Sequence, residues 1–311
     1  AMMGRPIGAP KTGVFGLADI VGLDLIPHVT ESMSANLPKN DMYSIEVKEQ
    51  EKLGIDKILS KMIDDGYTGR KGKGGFYRLN EDSGKRIKES RNLKTGEYSK
   101  ATKRVGLESV KAGKKGLRNV VTHKDKGGMY AWKVLSKTLV YAASLVPEIT
   151  DNIVNVDLAM KNGFLWKKGP FEMLDDLGPA WFSSKISEDE MEVPNLLEKV
   201  AKGKFYGLKD SEPTFFGTDG KYSKLKNPEG YLTAADVKRG NSPIFRNSSA
   251  SLWNMGEEII LAEFHSKMNS MDPMIMEALT EASSLCESGE YKGIVIGNDG
   301  SNFSAGANLG L

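Results

Sequence analysis

At 311 residues the chain has room for about two domains and a sizeable core. Its 43 lysines and arginines against 41 acidic residues leave a formal charge of +2, so bulk electrostatics do not point to nucleic acid as a partner. A single cysteine, Cys286, excludes a disulfide framework within the chain and fits a reducing cytoplasm, and no apolar run approaches the ~20 residues that span a bilayer.

The opening stretch, Ala1 to Pro10, is too polar and glycine-rich for a signal peptide. Phe15-Gly16-Leu17-Ala18-Asp19-Ile20-Val21-Gly22 then matches a later segment, Phe171-Glu172-Met173-Leu174-Asp175-Asp176-Leu177-Gly178, as Phe-x-(Leu/Met)-x-Asp-x-(Val/Leu)-Gly. Ala1-Met2 also matches Ala159-Met160, two residues out of that register. A repeat fixes architecture before any other motif does, and this one implies two related helical units. The first copy begins in mid-motif, which suggests a cut amino end; an atypical, shorter terminal copy is the alternative.

From Phe15 to Leu37, apolar residues recur at helical spacing (Leu17, Ile20, Val21, Leu25, Val29, Met33), and Pro27 predicts a kink or break nearby. A second helix is expected over Ile55–Ile63. The glycine-rich basic stretch Gly66 to Arg78 invites a phosphate-binding reading. Its order departs from the nucleotide loop and no apolar strand precedes it, which favours a tight turn before Phe76-Tyr77. Residues 80–126 are densely charged and read as a solvated connector with one helix over Leu107–Leu117; His123 reads as a surface residue.

Met129–Val146 is the clearest helix, with Trp132, Leu135, Leu139, Ala142 and Val146 on one stripe widened by Val134, Tyr141 and Leu145. Asp151 is expected to cap a helix over Ile153–Met160 that stops at Asn162-Gly163. Gly169-Pro170-Phe171 opens another, because proline suits a first turn. Glu172, Asp175 and Asp176 crowd that turn as either a carboxylate site or complements to the helix dipole; the lack of nearby histidine or cysteine favours the latter. One short helix is expected over Pro194–Lys202, then irregular chain with a hairpin at Thr218–Tyr222.

After Pro243 the pattern changes. Ser251–Gly256 and Glu258–Phe264 read as two strands around a turn, Ser270–Pro273 opens a helix, and Gly293–Gly297 is a short buried strand. Strand, helix and strand make a βαβ unit, which cannot close a sheet by itself, so the carboxyl end also looks cut. The small residues Ser304-Ala305-Gly306-Ala307 after that strand allow backbone N–H groups to face a ligand.

These residues carry a family resemblance. Asn302-Phe303-Ser304-Ala305-Gly306-Ala307-Asn308-Leu309, preceded by Gly293-Ile294-Val295-Ile296-Gly297-Asn298, resembles the first oxyanion-hole segment of the enoyl-CoA hydratase (crotonase) superfamily. Glu263 to Met271 resembles its early strand-to-helix turn. Upstream, the chain resembles the carboxyl-terminal helical domain of 3-hydroxyacyl-CoA dehydrogenases, present twice. The first copy carries Pro6 to Lys11, Ala18 to Asp24, Gly69-Arg70-Lys71 and Gly75-Phe76-Tyr77; the second carries Asp157-Leu158-Ala159-Met160 and Gly169-Pro170-Phe171-Glu172.

The resemblance implies a mainly α fold of two such helical domains (residues 1–110 and 127–215) followed by a partial α/β crotonase-like unit (249–311). It implies a bifunctional β-oxidation protein, cytoplasmic, that hydrates a trans-2-enoyl-CoA and oxidises the 3-hydroxyacyl-CoA with NAD. By the same resemblance, the Ala307 N–H is an oxyanion donor to the thioester carbonyl, and Ser304, Ala305 and Gly306 lie along CoA. Asn308 stands in that CoA segment where many hydratases have aspartate. The fingerprint Gly-x-Gly-x-x-Gly is absent, so NAD binding and the proton-moving residues fall outside this chain, and the chain alone is expected to be inactive. Of the three histidines only His265 is a candidate near the hydratase mouth. The duplication is expected to form an intramolecular pseudo-dimer, the first copy closing over the acyl chain. Rival readings are an acyl-CoA-binding or assembly module without catalysis, and an enoyl-CoA isomerase in the terminal domain.

Overall fold

The apolar spacing that begins at Phe15 resolves into two helices in the computed structural model, which describes residues 2–80, 86–102, 106–210, 212–300 and 302–308. Ala1 of the Ala1-Met2 pair and Leu309 of the carboxyl-terminal segment lie outside the described residues. Helix α1 (Gly13–Val21) stops at Gly22, whose φ of 109° suits glycine, and α2 (Leu25–Asn36) leaves at 94° to it. Pro27 sits in the first turn of α2, where a missing N–H costs no helical bond, so the expected break falls just ahead of it. No single described helix is long and apolar enough to cross a membrane.

Asp41 starts α3 (Met42–Lys52) by accepting from the Tyr43 N–H, and α4 (Ile55–Asp64) follows with Met62 buried. The anticipated stripe Leu17, Ile20, Val21, Leu25 and Val29 is helical but remains on the surface, each residue more than two-fifths exposed.

The charged connector holds more structure than its composition disclosed. Strands β1 (Tyr77–Asn80), β2 (Ile87–Arg91) and β3 (Tyr98–Lys100) form an antiparallel sheet. The stems of charged side chains cover it: the Arg78 guanidinium lies 4.2 Å from the Tyr98 ring centroid and the Lys88 ammonium 4.3 Å from that of Tyr77. In place of one helix over Leu107–Leu117 there are two, α5 (Glu108–Ala112) and α6 (Leu117–Val121), separated at Gly116 with φ of 112°.

Helix α7 (Lys126–Ser144) begins three residues before the expected start, capped by Asp125, which accepts from the Gly128 N–H. Its buried side is Ala131, Leu135, Leu139, Val140 and Ala143, with Trp132 and Ala142 at the margin. Helix α8 (Ile153–Phe164) is capped by Asn152, not Asp151, because the Asn152 carboxamide reaches the Val154 N–H. It runs through Asn162-Gly163 and stops at Leu165, which takes a left-handed φ of 54°. Then come α9 (Pro170–Leu177) with Pro170 in its first turn, α10 (Pro179–Glu188) and α11 (Asn195–Val200). Phe171, Leu174, Phe182, Ile186 and Phe205 fill the core between them. Met2 and Ile7 are buried in that same core; each such side chain contributes roughly 1.5–3 kcal/mol.

By contact density the chain divides into a helical unit, Ala1–Gly207 with Phe215–Ser223, and a mixed unit, Leu208–Thr214 with Lys224–Leu311. Strands β4 (Tyr206–Lys209), β5 (Glu212–Phe216) and β6 (Tyr222–Lys224) are adjacent in that order; the Gly217–Lys221 turn connects the last two. The stretch expected to be irregular thus holds this sheet and α12 (Ala234–Lys238).

In the mixed unit the sheet order is β10-β9-β8-β7, from β7 (Phe245–Arg246), β8 (Ala250–Gly256), β9 (Ile259–Phe264) and β10 (Gly293–Ile296). β8 and β9 are antiparallel and β10 is parallel to β9, with α13 (Pro273–Glu287) as the crossover. Leu252, Ile260, Ala262 and Phe264 pack on Ile275, Ala278 and Ala282.

Candidate functional site

Strand β10 ends at Ile296, and the Gly297 N–H reaches back to the Ala262 carbonyl (3.2 Å). The chain beyond it is held against the Lys267–Met271 segment. Asn298 accepts from the Gly300 N–H (2.8 Å) and donates to the Phe303 carbonyl (3.0 Å), closing the turn. The Ser304 hydroxyl donates to the Asn269 carbonyl (2.7 Å), and the Ala305 N–H to the Met268 carbonyl (3.1 Å). Gly306 takes φ of 85°, a left-handed conformation that favours glycine.

A parallel bridge follows between Met271 and Ala307. The Met271 N–H donates to the Gly306 carbonyl and the Asn308 N–H to the Met271 carbonyl, both at 2.9 Å. Successive peptide groups on an extended chain point to opposite sides, so the Ala307 N–H points away from Met271. Among the described residues it has no acceptor, and Ala307 is exposed. A backbone donor fixed on both sides and left without an acceptor can receive an oxygen that gains negative charge. The five residues Ser304, Ala305, Gly306, Ala307 and Asn308 are thus one continuous loop pinned to one segment. Among the described residues His265 makes no hydrogen bond to them: its backbone N–H goes to the Ser249 carbonyl and the residue is exposed.

The carboxylates of the helical unit do different work. Asp19 accepts from the N–H groups of Phe76 (2.7 Å) and Tyr77 (2.8 Å); Asp175 accepts from those of Phe205 (2.7 Å) and Tyr206 (2.8 Å). The repeat register paired these two aspartates, and each clamps a Phe-Tyr step with the same two bonds. Burial pushes both carboxyls above the usual aspartate value. Glu172 accepts from the Gly169 N–H and pairs with Lys161, and Asp176 pairs with Lys168. The expected crowding of the first turn does not occur: Glu172 stands there, but Asp175 and Asp176 fall in the last turn of α9, where a carboxylate does not complement the helix dipole, and each is satisfied by its own partners.

Sequence reading missed the part played by Asp157. Its carboxylate is 1% exposed and accepts from the Phe171 N–H (2.8 Å), the Glu172 N–H (3.2 Å) and the Tyr206 hydroxyl (2.7 Å). Burial pushes it up to about 6, and burial beside this carboxylate pushes the Tyr206 phenol up as well. An aspartate fourteen residues ahead of Phe171 was visible, but nothing local indicates that it staples the next helix.

For a dinucleotide the residues do not fit. The described βαβ crossover enters α13 through Ser270-Met271-Asp272 and Pro273, with no glycine where a pyrophosphate would approach the backbone.

Residues 1–79 match the family described as 3-hydroxyacyl-CoA dehydrogenase, C-terminal domain. The chain is similar to a probable 3-hydroxyacyl-CoA dehydrogenase of Bacillus subtilis (strain 168), 34% identical over 100% of this chain and 39% of that protein. It is also similar to the putative fatty acid oxidation complex trifunctional enzymes of Rickettsia felis (34% identical, 98% of this chain, 38% of that protein) and Rickettsia prowazekii (31%, 99% and 38%). The chain thus spans about two fifths of the length of the curated relatives it matches. No solved structure matches it.

Proposed function

We propose that this chain belongs to an NAD-dependent 3-hydroxyacyl-CoA dehydrogenase of fatty-acid oxidation whose helical region is followed by an enoyl-CoA hydratase-type domain. The helical part follows from the match of residues 1–79 and from the names of the relatives. The hydratase part rests on one observation, the Ala307 N–H, which lies between two pinned neighbours and has no acceptor among the described residues. In that role Ala307 donates to the thioester carbonyl oxygen of a trans-2-enoyl-CoA as water adds and enolate charge develops there. Ser304, Ala305 and Gly306 line the CoA side, and the bonds from Ser304, Ala305 and Asn308 to the Lys267–Met271 segment hold the donor still. One such donor supplies about 2.7–4 kcal/mol of transition-state stabilisation. NAD supplies hydride acceptance for the second step, on residues that this sequence does not contain.

The two helical copies serve as an intramolecular pseudo-dimer in this reading. Support comes from the Lys137–Glu46 ion pair, the Tyr141 hydroxyl donating to Asp41 (3.2 Å) and the Lys167 N–H donating to the Gly8 carbonyl (2.9 Å). The test is the activity of the full-length gene product. It is expected to hydrate an enoyl-CoA and to reduce NAD with a 3-hydroxyacyl-CoA; failure of both overturns the proposal.

A further inference from the structure

The two copies of the repeat share their inner contacts. In the second, Phe171 stacks on Phe205 (4.9 Å between ring centroids) and Asp175 clamps Phe205-Tyr206. In the first, Phe15 stacks on Phe76 (4.5 Å) and Asp19 clamps Phe76-Tyr77. The outer faces differ. Phe171, Met173 and Leu177 are 0%, 1% and 0% exposed, whereas Phe15, Leu17 and Val21, at the matching positions of the repeat, are 42%, 49% and 49% exposed.

Helix α7 accounts for the difference. It packs on α9 and α11, and its Trp132 meets Trp181 and Phe182 of α10 at ring-centroid distances of 5.6 and 5.7 Å. Its buried side carries Ala131, Leu135, Leu139 and Ala143, one every four residues. Under this cover α10 buries Phe182 and Ile186, and α11 buries Leu196, Leu197 and Val200. Among the described residues no helix packs on α1 as α7 does on α9. No apolar side chain of α1 or α2 is buried, α4 buries Met62, and Leu25, Val29, Ile55 and Ile58 stand exposed. A contiguous apolar face of this kind marks an interaction surface.

We propose that the exposed apolar face of α1, α2 and α4 is the seat of one amphipathic helix, built as α7 is and supplied by the full-length gene product from outside these 311 residues. The second copy shows what fits such a face: a helix with apolar residues every four positions, laid across three elements at once. Charge gives no rival partner a hold on α1. Gly13–Val21 carries no basic side chain, and its one carboxylate, Asp19, is spent on Phe76 and Tyr77. The curated relatives, of which the chain spans about two fifths, are long enough to hold such a helix elsewhere. The inference does not rest on the Ala307 reading, which concerns a different unit.

The experiment is hydroxyl-radical footprinting of the full-length gene product, native and in urea, read by mass spectrometry at several protein concentrations. Phe15 and Leu17 are expected to lose their labelling on folding as completely as Phe171 and Met173 do in the same sample, and to stay protected on dilution. A photo-crosslinking amino acid in place of Leu17 then identifies the cover. Its adduct should lie within one chain, on a segment outside residues 1–311 whose apolar residues recur every four positions. The footprint needs no substitution, so it decides the matter even where the substituted protein fails to fold. Labelling of Phe15 and Leu17 in the native protein as in urea overturns the assignment. So does protection that vanishes on dilution, which would mean a second copy or another protein, and so does an adduct confined to residues 1–311.

Discussion

Replacing Asp175 by alanine should destabilise the helical unit by about 3–5 kcal/mol. The carboxylate accepts two backbone N–H groups, those of Phe205 and Tyr206, at 2.7 and 2.8 Å, and Phe205 is fully buried. A hydrogen bond to a charged group contributes about 1.5–3 kcal/mol, and each orphaned buried donor costs about 1–3 kcal/mol, so two lost together give that range after some relaxation. The matching change Asp19→Ala should cost about half as much, because Phe76 and Tyr77 are only partly buried and water can replace the lost acceptor. Urea unfolding followed by the fluorescence of Trp132, Trp166 and Trp181 reads the unit, and hydrogen exchange at the Phe205 and Tyr206 N–H groups reads the site. A loss below about 1 kcal/mol for Asp175→Ala, or a larger loss for Asp19→Ala, would refute the view that these clamps organise the two copies.

Asp157 makes stability depend on pH. Its folded value of about 6 lies above the ordinary 3.8, so the folded state binds the proton more tightly than the unfolded chain does. The contribution of this group therefore favours folding increasingly as pH falls from above 6 towards 3.8, and Asp157→Asn should remove that trend; equal pH slopes for parent and variant in urea unfolding would contradict it. Gly169→Ala should cost at least ~2 kcal/mol, since an added Cβ would collide with both side chain and backbone of Asp157, whereas Gly163→Ala, with open space around it, should change stability by less than ~1 kcal/mol. Thermal melts of the two variants check the contrast. Lys137→Ala, which breaks the ion pair between α7 and α3, should cost only about 0–1 kcal/mol because both partners are partly exposed; a loss above ~2 kcal/mol would mean that the pair does more than touch.

Much of this was legible from residue order because its causes are local. Helical spacing located α7, a proline in a first turn opened α9, and strand–helix–strand spacing disclosed the crossover from β9 to β10. The repeat register went further and paired Asp19 with Asp175. What stayed hidden depends on distance along the chain. Asp157 meets Tyr206 across forty-nine positions. The β1–β3 sheet was concealed for another reason: arginine and lysine stems stacked on tyrosine rings cover it, and composition alone reads them as solvated charge. The α8 stop was misplaced because Leu165, not a glycine, takes the left-handed conformation. The apolar face of α1 and α2 was visible as a stripe, but spacing cannot say whether anything covers it.

The most direct test compares the full-length gene product with its Ala307→Pro variant, which loses the backbone donor while adding only two ring carbons at an exposed position. The account predicts that hydration of a trans-2-enoyl-CoA falls by roughly 10²–10³ in kcat while NAD-linked oxidation of a 3-hydroxyacyl-CoA is retained. Hydration at the parent rate, or a parent enzyme that hydrates no enoyl-CoA, would contradict it.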